Sequence, residues 1–422
     1  MKVLVVGGGG REHAIVKKLK ESPKITTLYA APGNGGISCD AVCVPVKATD
    51  IAGMVDFALT EAIDFVVVAP DDPLVLGMVD ALTEKGIRCF GPNKAAAIFE
   101  GSKVFSKAFM KKYAIPTAAY EAFDEVAQAR AYVQTAAYPL WIKTDGLALG
   151  KGAIVAADVD EALAILETVM VDKAFGDSGS SIVIEENMTG PEVTVLSFSD
   201  GKTLVPMVSS MDHKRAYDGD EGLNTGGMGV IAPNPHYTPE IAAQCMQDIF
   251  MPTVQGMLAE NRPFKGCLYF GIMLTPTGPR VVEYNCRFGD PETQAVLALL
   301  DTDLLTVMEA VCDGTLDTLE LTWKPHASAC VVLASGGYPE KYETGLAVSG
   351  LDESGNIAGV ADAVAFHAGT TVSDGVFRTA GGRVFGVTAI APTLPQALDK
   401  AYAAADHIHF AHKHYRTDIG KQ

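Results

Sequence analysis

Short apolar runs alternate with polar, turn-rich segments over the first hundred residues, which predicts a doubly wound α/β unit. Residues 3–6, 28–30 and 65–69 are such runs, and each leads into a loop rich in glycine, proline or acidic residues. Continuous apolar runs are typical of parallel strands that are covered on both faces. Ligands bind such sheets at the carboxyl ends of the strands, so these loops are candidate binding segments.

The first of these loops contains four consecutive glycines, residues 7–10, directly before a predicted helix start at Arg11. The dinucleotide fingerprint G-x-G-x-x-G fails here, because Glu12 or His13 stands where the last glycine should be. The second strand also ends without an acid that could hold a ribose diol. The alternatives are a plain tight turn and an anion loop. We predict the anion loop, since N–H groups at a helix start favour negative charge.

Beyond residue 100 the pattern favours hairpins and helices. The glycine-rich loop 145–152 is not a P-loop, because only three residues separate Gly146 from Gly150 and Gly152 replaces the magnesium-binding Ser or Thr. We expect it to be a flap over a triphosphate, with Lys143 pointing inward before it. The elements predicted around it are a helix from 103 that ends by 115, strands near 118–123, 139–144 and 182–186, and a helix near 125–134.

A metal site is predicted at the end of a second group of elements. This group consists of a helix near 238–261 and strands near 267–275 and 280–284, and a helix at 303–313 follows the predicted metal site. Glu283, Asn285 and Arg287 alternate, so they share one face of a strand. Two oxygen donors suit Mg²⁺, which completes its shell with water and substrate phosphates. For the triplet alone, a half-buried strand with a polar face is the simpler interpretation.

Two other polar segments are candidate binding sites. The strand ending at 185–188, with Glu192 beyond it, is a possible adenine hinge and ribose acceptor, or else a solvated strand end. Residues 211–229 would be a long polar loop, which in a compact domain indicates function. Within it, Asp212, Lys214 and Arg215 are candidates to bind an amine, a phosphate and a carboxylate.

Composition narrows the class of protein. The 422 residues are 48% hydrophobic, and the net charge of -18 argues against a nucleic-acid surface. The eight cysteines are scattered singly, as in reduced cytosolic proteins. No run has the length of a signal h-region or a membrane span. We therefore expect a cytoplasmic protein of two to four domains without nucleic-acid or membrane partners.

An ordered set of motifs resembles the phosphoribosylamine-glycine ligase family, also called glycinamide ribonucleotide synthetases, of the ATP-grasp superfamily. The motifs are GGGREHA (8–14), PGN (32–34), DHKR (212–215), NTGGMG (224–229), NCRFGDPET (285–293), FHAGT (366–370) and YRTDIG (415–420). The resemblance implies an ATP-grasp fold of class α/β and α+β. Its expected domains are a doubly wound pre-ATP-grasp domain (1–101), an ATP-grasp domain (102–325, with the flap at about 117–190) and a small α+β domain (326–422).

The resemblance also implies a reaction: ATP-dependent ligation of glycine to 5-phosphoribosylamine through glycyl phosphate, in purine biosynthesis, by a monomer. The cation, Mg²⁺ or Mn²⁺, would bind Glu283 and Asn285, and the residues implied as catalytic are Lys143, Lys214 and Arg287. The residues implied to hold ATP are Lys103, Lys143, Lys151, Glu185, Glu186, Asn187, Met188 and Glu192. Those implied to hold the other substrates are Gly9, Gly10, Arg11, Asn34, Asp71, Asp212, Lys214 and Arg287.

The chain departs from the family pattern in places. Ala69-Pro70-Asp71 replaces Gly-Pro-Glu, and Gly190-Pro191-Glu192 replaces Gly-Glu-Glu, so only Glu192 carries over. Trp141, Thr144 and Leu149 are bulkier than the resemblance leads us to expect, which bears on nucleotide affinity rather than on the reaction.

The chain is also compatible with three other classes of protein. A related ATP-grasp ligase for another carboxylate and amine is the main alternative; a nicotinamide oxidoreductase and a non-catalytic interaction protein are disfavoured. His407, His409, His412 and His414 cluster as in a metal tract, but we predict a helix end running into a strand, without tight metal.

Overall fold

In the computed structural model, which describes residues 1–148 and 152–421, the amino-terminal region is a five-stranded parallel sheet with helices around it. The strand order is β3-β2-β1-β4-β5, as in a doubly wound unit. The elements are β1 (Lys2–Gly7), α1 (Gly10–Lys20), β2 (Thr27–Pro32), β3 (Val42–Cys43), α2 (Ile51–Thr60), β4 (Phe65–Val68), α3 (Asp71–Leu76), α4 (Met78–Thr83), β5 (Arg88–Phe90) and α5 (Lys94–Gly101).

The next region begins with α6 (Lys103–Lys112) and contains a small antiparallel sheet of order β6-β9-β7-β8. The predicted glycine-rich hairpin joins β7 to β8, and residues 149–151 within it lie outside the described residues. The other elements here are β6 (Tyr120–Phe123), α7 (Val126–Val133), β7 (Leu140–Thr144), β8 (Ala153–Ala156), α8 (Val159–Leu166) and β9 (Ile182–Glu186).

A second antiparallel sheet, of order β11-β10-β16-β17, faces the small one across a cavity. The predicted helix near 238–261 forms as α9 and α10 joined through a π-turn at Met246–Phe250. The elements are β10 (Glu192–Asp200), β11 (Leu204–Pro206), β12 (Met211–Asp212), β13 (Arg215–Tyr217), β14 (Glu221–Asn224), β15 (Gly229–Ala232), α9 (Pro239–Cys245), α10 (Met251–Ala259), β16 (Lys265–Thr275), β17 (Gly278–Asn285), α11 (Glu292–Val296) and α12 (Leu304–Asp313).

The carboxyl-terminal region contains a sheet of order β12-β15-β18-β22-β19. Two of its strands, β12 and β15, come from the preceding region. This sharing joins the two regions through backbone hydrogen bonds. The elements are β18 (Ala327–Ala334), β19 (Ala363–His367), β20 (Thr370–Ser373), β21 (Val376–Thr379), β22 (Arg383–Ala391) and α13 (Leu394–His407).

The polar segment 211–229 is not the structureless loop that was predicted. It folds as β12, the β13–β14 hairpin and the start of β15. The carboxyl-terminal tail holds the hairpin, because the fully buried Arg416 pairs with Asp220 and donates to the carbonyl of Arg215. The backbone polar groups of this segment are thus satisfied by pairing and by the tail.

The histidine tract also differs from its prediction. The helix ends at His407 as expected, but the following residues form isolated bridges at His409 and His414 rather than a strand. Among the described residues there is no group of three or more His, Cys, Asp or Glu side chains that could hold a metal. In the same part of the chain, no helix is long and apolar enough to cross a membrane.

Candidate active site

A cavity of about 830 Å³ lies between the two antiparallel sheets and opens toward the amino- and carboxyl-terminal regions. Fifteen of the predicted site residues line it. Lys151, also predicted, lies outside the described residues. The fifteen are Arg11, Asp71, Lys103, Lys143, Glu185, Glu186, Asn187, Met188, Glu192, Asp212, Lys214, Arg215, Glu283, Asn285 and Arg287.

The predicted metal ligands share one face of β17. Burial disfavours the charge of Glu283, but Lys214, Lys143 and Lys103 outweigh it and lower the pKa of this carboxyl. Glu283 is therefore an ionised oxygen donor at neutral pH. Asn285 contributes a second oxygen, which accepts a 3.2 Å hydrogen bond from Arg287 and keeps another lone pair. This donor set fits a hard divalent cation that also binds phosphate oxygens.

Arg287 is fixed from behind by an acid of the amino-terminal region. Its Nη2 lies 2.9 Å from Glu100 Oε1, and Glu100 also accepts the backbone N–H of Cys286 at 2.8 Å. Burial opposes the charge of Arg287, yet Glu100 and Asp71 raise its pKa. The Nε of Arg287 is buried without a hydrogen-bond partner among the described residues. A guanidinium held in this way is ready to bind an anion in the cavity.

Glu185 lies between two buried lysines, of which Lys143 was predicted to bind ATP and Lys107 was not. Lys143 Nζ lies 2.9 Å from Glu185 Oε2, and Lys107 Nζ lies 3.2 Å from the same oxygen. Burial lowers the pKa of Lys107 to about 8. Glu185 therefore orients lysines with its side chain, which the sequence did not predict. Lys103 reaches the carbonyl of Gly146 at 3.4 Å.

The end of β9 faces the same cavity. The side chain of Glu186 is engaged outward, since it binds Arg280 and the N–H of Ala119, both at 2.9 Å. Asn187 accepts a 2.9 Å hydrogen bond from the indole N–H of Trp141. Side chains at this strand end are thus tied to the protein, and an adenine edge would meet backbone groups.

The substrate side of the cavity contains opposed charges. Lys214 Nζ lies 2.7 Å from Glu192 Oε2, so the predicted ribose acceptor and the predicted anion binder form one ion pair. Burial and the nearby Glu292 raise the pKa of Asp212 well above its ordinary value. The buried Oδ1 of Asp212 has no hydrogen-bond partner among the described residues. A protonated amine placed here would relieve the repulsion between Asp212 and Glu292.

The predicted anion loop is occupied by the protein's own carboxylates. Glu12 accepts the N–H of Gly9 at 2.6 Å, and Asp290 accepts the backbone N–H of Arg11. Gly9 and Gly10 are absent from the cavity lining within the described residues. In this arrangement the N–H donors of the helix start already have acids as partners, and a phosphate site at this helix start stays a prediction.

Asn34 makes hydrogen bonds within the protein, and its predicted role in substrate binding stays a prediction. Its Nδ2 donates to the carbonyls of Gly8 and His367, and its Oδ1 accepts the N–H groups of Gly36 and Ile37, all at 2.8–2.9 Å. With both ends satisfied, Asn34 joins the amino-terminal region to the carboxyl-terminal one. It lies outside the lining of the cavity.

Sequence reasoning missed Glu292, Asp290 and Arg383 as cavity residues. Glu292 and Asp290 stand inside the motif at 285–293, and that proximity was the available signal. No such signal was available for Arg383, because its partners are remote in sequence. It donates to the carbonyl of Asp290 at 2.7 Å and to that of Gly226, so the carboxyl-terminal region supplies a cation to the site.

Comparison with known proteins agrees with this architecture. Three family models described as Phosphoribosylglycinamide synthetase match most of the chain, with the N domain at 1–100, the ATP-grasp (A) domain at 101–293 and the C domain at 328–422. The phosphoribosylamine–glycine ligase of Caldanaerobacter subterraneus subsp. tengcongensis is 45% identical over 419 residues, covering 99% of each chain. That of Clostridium acetobutylicum is 42% identical over 421 residues, covering 100% of each.

Solved structures show the same fold. The crystal structure of phosphoribosylamine–glycine ligase from Thermotoga maritima superposes with a TM-score of 0.87 at 31% identity, covering 100% of both chains. A biotin carboxylase domain from Hydrogenobacter thermophilus superposes with a TM-score of 0.75 at 16% identity, over 98% of this chain and 91% of that one, which shows the fold alone. The predicted fold class is therefore confirmed: the chain belongs to the phosphoribosylamine–glycine ligase family, with an ATP-grasp central domain.

Proposed function

We propose that this protein ligates glycine to 5-phosphoribosylamine with ATP, forming glycinamide ribonucleotide, ADP and phosphate in purine biosynthesis. The observation that carries the proposal is that one cavity contains both halves of such a reaction. Lysines and oxygen donors suited to a triphosphate line it together with Asp212, Glu292 and Lys214. The full-length family match supports the assignment of substrates.

The reaction has two displacements. A carboxylate oxygen of glycine attacks the γ-phosphorus of ATP, ADP leaves, and glycyl phosphate forms. The amine nitrogen of 5-phosphoribosylamine then attacks the carbonyl carbon, and phosphate leaves as the amide forms. Neither step needs a side-chain nucleophile, so catalysis depends on positioning and on charge stabilisation.

The described residues supply both. Lys103 and Lys143 would bind the triphosphate, and Arg287, oriented by Glu100, would bind the carboxylate or the departing phosphate. Asp212 would accept the amine. Glu283 and Asn285 would hold Mg²⁺ or Mn²⁺, which when bound neutralises phosphate charge and polarises the γ-phosphoryl group. A monomer in the cytoplasm, with all three substrates small molecules, completes the proposal.

Phosphate release from ATP tests it, with glycine and freshly made phosphoribosylamine added singly and together. We expect sustained release only when both are present, and transfer of ¹⁸O from labelled glycine carboxylate to the released phosphate. The label is diagnostic, because the attacking oxygen stays with phosphorus when the amide forms. Faster turnover with another carboxylate or amine would instead favour the related ligase.

A variant pair sharpens the assay. Asp212→Asn keeps the size of the side chain but replaces one carboxylate oxygen by an NH₂ donor and removes the charge, so we expect the KM for phosphoribosylamine or glycine to rise at least about tenfold. Glu121→Gln, on the exposed β6 strand, is the matched control and should leave both KM values unchanged.

A further inference from the structure

Trp141 occupies a defined place on the wall of the cavity. It stands two residues before Lys143 on β7, so both side chains lie on the same face of the strand. Its neighbours in register are Glu185 on β9 and Val155 on β8. The indole N–H donates to Asn187 Oδ1 at 2.9 Å. This bond fixes the plane of the ring at the end of the cavity where β9 finishes.

The other sheet supplies an apolar surface to the same cavity. Met273 on β16 and Val282 on β17 line it, and both belong to the sheet that faces β7 across the space. Residues 186–188 line the same cavity, and Lys143, which we propose to bind the triphosphate, follows Trp141 two residues later on β7. The cavity wall therefore has an aromatic ring on one sheet and the apolar side chains of Met273 and Val282 on the other.

We propose that Trp141 is the stacking wall of a nucleobase slot and that it contributes affinity for purine nucleotides as a class. The proposal rests on the proposed use of ATP and deepens it. Aromatic side chains stack on any base, because every base has a π-face, whereas edge hydrogen bonds distinguish one base from another. The bulk of Trp141, which departs from the family pattern, thus strengthens base binding instead of blocking it.

The chain offers a direct optical test, since it has only two tryptophans. Trp323 forms a bridge with Leu300 and packs against the core near α12, away from the cavity. In a Trp323→Phe variant, all indole emission therefore comes from Trp141. Titration with ADP alone should quench this emission in a saturable way, and IDP, whose purine differs at its edge, should quench it to a similar extent.

Substitution of Trp141 separates stacking from the hydrogen bond. Trp141→Val should weaken ADP and IDP binding, measured by calorimetry, by the same factor of roughly ten, and should raise the KM for ATP without changing the KM for glycine. Trp141→Phe keeps an aromatic face but lacks the N–H, so it should lose much less. Melting curves of both variants show whether they fold.

The outcomes distinguish this proposal from the proposed reaction. If ADP quenches the emission of Trp141 but glycine-dependent phosphate release is missing, the nucleobase slot is supported and the proposed reaction is contradicted. If turnover occurs but folded Trp141→Val binds ADP like the wild type, the slot assignment is overturned. An unequal loss for ADP and IDP, or calorimetric ADP binding without any change in Trp141 emission, would also overturn it.

Discussion

Single residues in this cavity have more than one role, and the predicted metal ligand Glu283 is an example. Glu283 is an anion among lysines, so its loss removes both a cation ligand and a counter-charge. Glu283→Gln keeps the shape without the charge, and Asn285→Leu removes the oxygen. Because metal-ion catalysis contributes several kcal/mol, each change should lower turnover at least about tenfold and raise the magnesium requirement.

The measurement is a magnesium titration of activity beside a thermal melt. A purely structural role predicts a lower Tm with an unchanged magnesium curve, and that result would remove the metal-site assignment. Glu121→Gln, again on the exposed face of β6, serves as the control for loss of one strand carboxylate.

A buried thiol makes stability depend on alkaline pH. Burial raises the pKa of Cys330 to about 12 from an ordinary 9.0. The folded thiol therefore keeps its proton where the unfolded one has lost it. This stabilisation is complete below pH 9 and is lost as the pH rises toward 12, at up to about 1.4 kcal/mol per pH unit for one thiol.

Urea denaturation at several pH values checks this. We expect the free energy of unfolding to fall above pH 9 and Cys330→Ala to make the fall shallower. Cys39→Ala is the comparison, because that thiol is far less buried and should change the slope little. An identical slope in wild type and Cys330→Ala would contradict the assignment.

The residue pattern predicted the central acids and bases well, because alternation on a strand is a local property. Glu283 and Asn285 on β17 and Arg287 just beyond it line one cavity, as expected. It did not predict the hydrogen bonds of Asn34, one of which goes to the carbonyl of His367, a residue more than three hundred positions away. A polar residue after a strand has the same local signature whether it binds a substrate or another loop.

At the scale of elements, the tail and the β13–β14 hairpin stabilise each other. Arg416 is fully buried and pairs with Asp220 and Asp418. Arg416→Met should cost about 2–3 kcal/mol, below the full value for a buried pair because both acids are partly exposed. The hairpin should then become easier to cleave by protease.

Arg130→Met provides the contrast, since the pair of Arg130 with Glu167 lies on the surface. Such surface pairs contribute at most about 1 kcal/mol to the free energy of unfolding, so the Tm of Arg130→Met should be nearly that of the wild type. Equal effects of the two substitutions would mean that burial of Arg416 adds nothing.

Helices and strands were predictable where the pattern of apolar residues was clear, as in the parallel strands and α6. The segment 211–229 was predicted as a loop because its strands are two to four residues long, too short to show alternation. Its order comes from pairing with β18 and from the tail, which are tertiary contacts.

At the scale of the molecule, the site depends on contacts among all three regions. Asn34→Asp tests one of them, because it keeps the acceptor but replaces a donor that serves the carbonyls of Gly8 and His367. Repulsion of a carboxylate by two carbonyls should cost about 2 kcal/mol or more. The Tm should fall, with the KM of each substrate unchanged.

The matched control is Asn93→Asp. Asn93 caps α5 through its side-chain oxygen, which aspartate supplies equally well, so stability should be nearly unchanged. If Asn34→Asp instead raised a substrate KM at an unaltered Tm, that result would support the prediction that Asn34 binds a substrate.

The ion pair between Lys214 and Glu192 has a thermodynamic consequence. An anion that binds Lys214 and a diol that binds Glu192 must each break the same bridge, so the first ligand bears the whole cost. The second then binds more tightly, and linkage makes the gain equal in both directions. The two ligands are thus expected to bind cooperatively. In Glu192→Gln, which lacks the ion pair, the affinity for each ligand should no longer depend on whether the other is bound.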